Sequence, residues 1–142
     1  MTNKNTQELI DLYKSGEILI TKRKIIQEIK KEPNNYFLYD FLGVILSDQG
    51  KLNEAVINHK KSIELNPNYP QGYSNLAGVL FKLRKVDESI VALRKAVKIG
   101  PNFAVAHNKL GYIFQQIKNV DESIYYYQKA IQIKPDFILA HH

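Results

Sequence analysis

Cysteine is absent from the 142 residues, and with it go disulfides, thiolate nucleophiles, cysteine-ligated zinc and iron–sulfur clusters. Long apolar runs are absent too. Stretches such as Val44-Ile45-Leu46 extend only a few residues, whereas a transmembrane helix needs about 20. The first residues, Met1 to Glu8, are polar, with no apolar segment behind a basic start, so no secretory signal is expected and the reading is a cytoplasmic protein. No zinc-protease HExxH and no dinucleotide loop occurs. Gly43 and Gly50-Lys51 lie too far apart for a phosphate loop, and Leu52 stands where one requires Ser or Thr. Acidic residues are in deficit, 14 against 20 basic, for a formal charge of +6. That surplus alone supports no more than weak, salt-sensitive nucleic-acid binding.

What remains is a soluble globular composition, 44% hydrophobic and 24% charged, at a length suited to one domain. Its organising feature is a period. Pro33, Pro67, Pro101 and Pro135 differ by 34 residues each time, and Asn34, Asn68, Asn102 and Asp136 follow them. The same step links Leu42, Leu76 and Leu110, then Gly43, Ala77 and Gly111, then Ala55, Ser89 and Ser123. Three full units run over 36–69, 70–103 and 104–137. Residues 2–35 form a degenerate first unit, in which Glu8 stands at the register of Leu42 and Leu9 at that of Gly43. Residues 138–142 start another unit.

Each unit reads as two helices. Tyr39, Leu42, Gly43 and Leu46 share one face by i, i+3, i+4, i+7 spacing, and Leu52, Ala55, Val56, His59 and Ser62 share another. Asp48-Gln49-Gly50 breaks between them, and each pair ends at its proline. The Asn or Asp after the proline is placed to cap the next helix. Asn53-Glu54, Asp87-Glu88 and Asp121-Glu122 open the second helices, where carboxylates suit the positive end of the dipole. Gly43, Ala77 and Gly111 predict close approach to the partner helix at Ala55, Ser89 or Ser123, with Tyr39, Tyr73 and His107 filling the space left. A hairpin of this kind cannot bury its apolar face alone, so the fold class expected is all-α, a solenoid of stacked hairpins.

The pattern Tyr39-x-x-Leu42-Gly43-x-x-Leu46, then Ala55, Ser62-Ile63 and Pro67, resembles the tetratricopeptide repeat (TPR) family. Tyr73-Ser-Asn-Leu76-Ala77-x-x-Leu80, then Ala96-Val97 and Pro101, resembles it equally. The segment Gly72-Tyr-Ser-Asn-Leu-Ala77 looks similar to repeats of O-linked N-acetylglucosamine transferase-type arrays. The resemblance implies a right-handed α-solenoid and a noncatalytic protein–protein interaction module. In that family peptides lie in the concave groove lined by first helices. Carried over by position, the peptide-binding groove is Phe37, Asp40, Phe41 and Val44 from the first full unit. The second contributes Gln71, Ser74, Asn75, Phe81 and Lys82, and the third Asn108, Lys109, Tyr112, Gln115 and Gln116. The carboxylate clamp of the chaperone-binding subset is not expected, because its positions hold Asp40, Val44, Asn75, Val105 and Lys109.

No catalytic, metal or cofactor residue emerges. Asp87-Glu88 and Asp121-Glu122 recur at the repeat period and read as helix starts, while His59 and His107 read as packing residues. The partner expected is a protein or peptide in the groove, with no membrane; nucleic acid ranks last, because Lys61, Lys95 and Lys129 read as a solvated face. Two rival readings stand beside this one. One is end-to-end self-association through Phe137-Ile138-Leu139. The other is the substrate-presenting arm of a larger enzyme such as a glycosyltransferase.

Overall fold

The computed structural model describes residues 4–136. Among them are eight α-helices and no strand: α1 (Lys4–Lys14), α2 (Ile18–Lys31), α3 (Tyr36–Asp48), α4 (Leu52–Leu65), α5 (Pro70–Lys82), α6 (Val86–Ile99), α7 (Ala104–Gln116) and α8 (Val120–Ile133). Helices α3, α5 and α7 begin 34 residues apart, as do α4, α6 and α8. Consecutive helices pair as hairpins, and the chain divides into two compact units, Met1–Asn66 with α1 to α4 and Pro67–His142 with α5 to α8.

One turn recurs inside every hairpin. Gly16, Gly50, Arg84 and Lys118 share a register and take positive φ angles of 84°, 78°, 64° and 64°. The next residue's N–H then bonds back five positions: Glu17 to Leu12, Lys51 to Leu46, Lys85 to Leu80 and Asn119 to Phe114, at 3.1, 2.8, 2.9 and 2.8 Å. A left-handed residue followed by this long backward bond satisfies the last carbonyls of a helix and reverses the chain. The second helices begin with Glu54, with Asp87 and Glu88, and with Asp121 and Glu122 in their first turns, as expected.

Between hairpins the capping expectation needs correction. Asn34, Asn68 and Asn102 lie in the turn with their prolines, and the cap position falls one residue later, on Asn35, Tyr69 and Phe103. Only Asn35 of these caps with its side chain, accepting from the Phe37 N–H at 3.1 Å. The Pro-Asn pair is taken up by the turn itself, which closes by Asn35 N–H to Glu32 O and Phe103 N–H to Gly100 O, at 3.1 and 3.0 Å. Pro70 does open α5, where its missing N–H costs nothing.

The small residues bring the paired helices together. Ser89 Oγ donates to the Ala77 carbonyl at 2.8 Å and Ser123 Oγ to the Gly111 carbonyl at 2.9 Å, bonds possible only at close backbone approach. The space above the glycines is filled differently from expectation. A Cβ on Gly43 would meet the His59 ring at 2.6 Å, and one on Gly111 the Tyr127 ring at 2.8 Å. Tyr39, Tyr73 and His107 point elsewhere and hold the inter-hairpin turns, through Pro33 O at 2.8 Å, Pro67 O at 3.1 Å and Pro101 O at 2.9 Å. Bonding to a carbonyl requires His107 to carry its proton on Nε2. In Met1–Asn66 the core includes Leu9, Ile25, Leu38, Phe41, Leu42, Ile45, Leu46 and Ala55; in Pro67–His142 it includes Ala77, Leu93, Ala96, Leu110 and Ile113.

Candidate functional site

Helices α5 and α7 meet through side chains to form a shared face. The Lys109 ammonium lies near Gly78, 3.9 Å from where a Cβ would stand, and donates to the Ser74 carbonyl at 3.3 Å. Phe81 and Tyr112 pack edge to face with centroids 5.9 Å apart, the favoured geometry for an aromatic pair. Tyr112 is nonetheless 48% exposed. Gln71 Nε2 donates to Asn75 Oδ1 at 2.8 Å, which orients the asparagine amide on α5. Gln115 Oε1 accepts from Tyr127 Oη at 2.9 Å, and Lys82, Gln115 and Gln116 are exposed beside half-buried Asn108. Burial, and then the neighbouring Tyr112, raise the Tyr127 phenol above its ordinary value. Neither α5 nor α7 contains an Asp or Glu. The face therefore offers amides, two lysines and an aromatic pair.

Three expected groove residues turn inward instead. Asp40 is 4% exposed, Phe41 8% and Ser74 0%. The reason for Asp40 is His59 on α4, whose Nδ1 lies 2.7 Å from Asp40 Oδ1 in a pair shut away from water. Phe41 is enclosed by rings, edge to face with Phe37 at 5.7 Å and with Tyr13 at 5.4 Å. Ser74 sits at the register of Asp40 and shares its inward direction. Phe37 and Val44 are half-buried.

Tyr13 was not singled out from the sequence, although it stands 34 residues before Ser47 and 68 before Phe81, so the period marks its register. Its hydroxyl donates to Asp48 Oδ2 at 2.5 Å, joining α1 to the end of α3. That bond, burial and the Asp48 charge together push the phenol up from 10.0 to about 12.

Among the described residues no group of three or more His, Cys, Asp or Glu could hold a metal ion, and no helix is long and apolar enough to cross a membrane. Three family models match the chain: Tetratricopeptide repeat over 104–137, TPR repeat over 43–84, and a second Tetratricopeptide repeat over 70–103. The chain belongs to the tetratricopeptide repeat family. The TPR assignment agrees with the solved structures it resembles. A crystal structure of MamA superposes with a TM-score of 0.80 at 27% identity, covering 99% of this chain and 80% of that one. Another MamA structure gives 0.77 at 28%, covering 98% and 78%. YrrB, described as a TPR protein with an unusual peptide-binding site, gives 0.78 at 21%, covering 92% and 68%, a likeness of fold. No curated protein matches the TPR chain in sequence. The fold class is thus the all-α TPR solenoid.

Proposed function

We propose that this TPR chain is a noncatalytic interaction module that holds a segment of another protein on the α5–α7 face. The observation that carries the reading is the Phe81–Tyr112 pair: a packed aromatic edge left half open to water, flanked by amides and by Lys109. Aromatic area on a rigid helix binds at low entropy cost, and Asn and Gln side chains can pair with a ligand's backbone. Asn75, held by Gln71, is the residue best placed to grip an extended peptide. In Met1–Asn66 only Phe37 and Val44 of the expected residues remain partly open, so that unit has a smaller part in binding.

Partner capture from a lysate, followed by titration of the recovered partner, tests this. Asn75→Ala, Tyr112→Ala and Lys109→Glu should each weaken binding about fivefold or more, the loss expected for a residue contributing over 1 kcal/mol at an interface. Helicity should stay unchanged, because Tyr112 is half exposed and the other two are partly exposed. Undiminished capture by all three variants would reject the face. The self-association reading rested on Phe137-Ile138-Leu139, which lies outside the described residues.

A further inference from the structure

Helix α2 departs from the other second helices at registers where those meet water. Asn53-Glu54, Asp87-Glu88 and Asp121-Glu122 open α4, α6 and α8 with polar pairs, and Lys60, Arg94 and Gln128 follow two turns later. All of these are exposed except half-buried Glu122. At the same three registers α2 carries Leu19, Ile20 and Ile26, which are 70%, 42% and 41% exposed. Stacking of hairpins does not account for them. Helix α4 follows α1 and α2 in one compact unit, and α8 follows α5 and α6 in the other, yet both keep polar side chains at these registers. Helix α6 has a hairpin after it in its own unit and does the same. A neighbouring hairpin, before or after, therefore leaves these positions in water.

Charge gathers on the same helix, which holds five Lys or Arg and one Glu. At about 100° per residue, Leu19, Arg23, Ile26 and Lys30 fall within an arc of about 60°. That arc lies opposite Thr21 and Ile25, both 0% exposed. The cations beside it are engaged: Lys22 Nζ donates to Gln49 Oε1 at 3.2 Å, Lys24 pairs with Glu8 at 3.1 Å and Lys31 with Glu28 at 3.5 Å. Arg23 and Lys30, on the arc itself, are exposed and have no acidic partner among the described residues. We propose that the Leu19–Arg23–Ile26–Lys30 stripe seats on an anionic lipid surface, its aliphatic side chains entering the interface and its cations meeting lipid phosphates. The stripe is separate from the α5–α7 face and does not depend on it. Contact is with the surface alone, since α2 has 14 residues and a span needs about 20. The chemistry favours lipid over protein. The stripe has no aromatic ring and no amide with which to read a peptide. Long cationic side chains beside aliphatic ones suit acidic headgroups, the stem lying along the apolar boundary and the tip reaching the phosphate. A fluid surface also adapts to a helix ridge, whereas a protein partner must match its shape over roughly 1,000 Å². A second copy laid α2 against α2 would set cation against cation.

The full chain is titrated with vesicles of phosphatidylcholine carrying about a third phosphatidylglycerol, and with vesicles of phosphatidylcholine alone, binding being read by co-flotation. Saturable, salt-sensitive binding to the anionic vesicles is expected, and none to the neutral ones. Two double variants separate the contributions. Leu19→Asn with Ile26→Gln leaves the charge unchanged and copies Asn53 of α4 and Gln128 of α8. Arg23→Gln with Lys30→Gln leaves the aliphatic side chains in place. Each should weaken binding about tenfold or more, with circular dichroism unchanged because all four side chains are exposed. Tyr112→Ala, on the α5–α7 face, should bind vesicles as the unaltered chain does. Absence of binding to anionic vesicles, or binding indifferent to Leu19→Asn with Ile26→Gln, would overturn the proposal; the latter result would mean adsorption by charge alone. So would an acidic protein captured through the stripe by a chain that ignores vesicles. A dimer in sedimentation that Leu19→Asn with Ile26→Gln dissolves would assign the stripe to a second copy instead.

Discussion

His59 shows how one register can be solved with three chemistries. In α3–α4 the inward pair is Asp40 and His59; the same registers hold buried Ser74 and Leu93 in α5–α6, and half-buried Asn108 and Tyr127 in α7–α8. The small residue beside the pair, Gly43 or Gly111, is what admits an imidazole or phenol ring at all. Asp40 and His59 are 4% and 1% exposed, so removing one partner leaves the other buried without this bond, while replacing both removes the demand for it. His59→Leu alone should cost roughly 3 kcal/mol, the upper end for taking the hydrogen-bond partner from a buried polar group. The double change Asp40→Ser with His59→Leu copies the neighbouring hairpin and should recover about 2 kcal/mol of that as a coupling energy. Urea unfolding of the two single variants and the double one measures it. Additive losses would mean that Asp40 does not depend on His59.

The recurring element is the left-handed turn, and the hairpins do not all staff it equally well. Gly16 and Gly50 adopt positive φ without a Cβ to object, but Arg84 and Lys118 hold φ 64° with one. A non-glycine residue there costs roughly 1–2 kcal/mol, partly offset by the greater freedom that glycine loses on folding. Arg84→Gly and Lys118→Gly should therefore each stabilise the chain by about 0.5–1 kcal/mol, and Gly50→Arg should destabilise it by a similar amount. Both charged side chains are exposed, so little packing is lost in the exchange. Thermal unfolding of the three variants decides this, and a fall in stability for both glycine variants would contradict it. The substitutions stay clear of the α5–α7 face and leave partner capture intact.

Across the whole molecule the period was legible because each repeated residue answers a local demand: proline for the inter-hairpin turn, a small residue for helix approach, acid for a helix start. Those demands set helix limits without reference to any partner. The direction of a side chain was less legible, since one position on a helix is a rotation of about 100°. That is why Ser74 faces inward while Asn75, one residue on, is half-buried on the α5–α7 face. Contacts between registers, such as Tyr13 with Asp48, follow from three-dimensional packing and left no mark in spacing alone. These phenols give the molecule a common response to alkali. The Tyr13 phenol ionises near 10.0 when free and at about 12 when bonded to Asp48, and burial shifts Tyr127 in the same direction. Below pH 10 both folded and unfolded chains hold the Tyr13 proton, and its bond contributes fully. Between pH 10 and about 12 the unfolded chain releases that proton while the folded one keeps it, so stability falls as pH rises. Tyr13→Phe removes this component and should show a smaller loss of urea midpoint between pH 9 and 12 than the unaltered chain, although it begins less stable at pH 9. Lysine deprotonation affects both proteins alike and cancels in the comparison. Equal losses in the two would mean that the folded chain does not hold the Tyr13 proton any more tightly than the unfolded one.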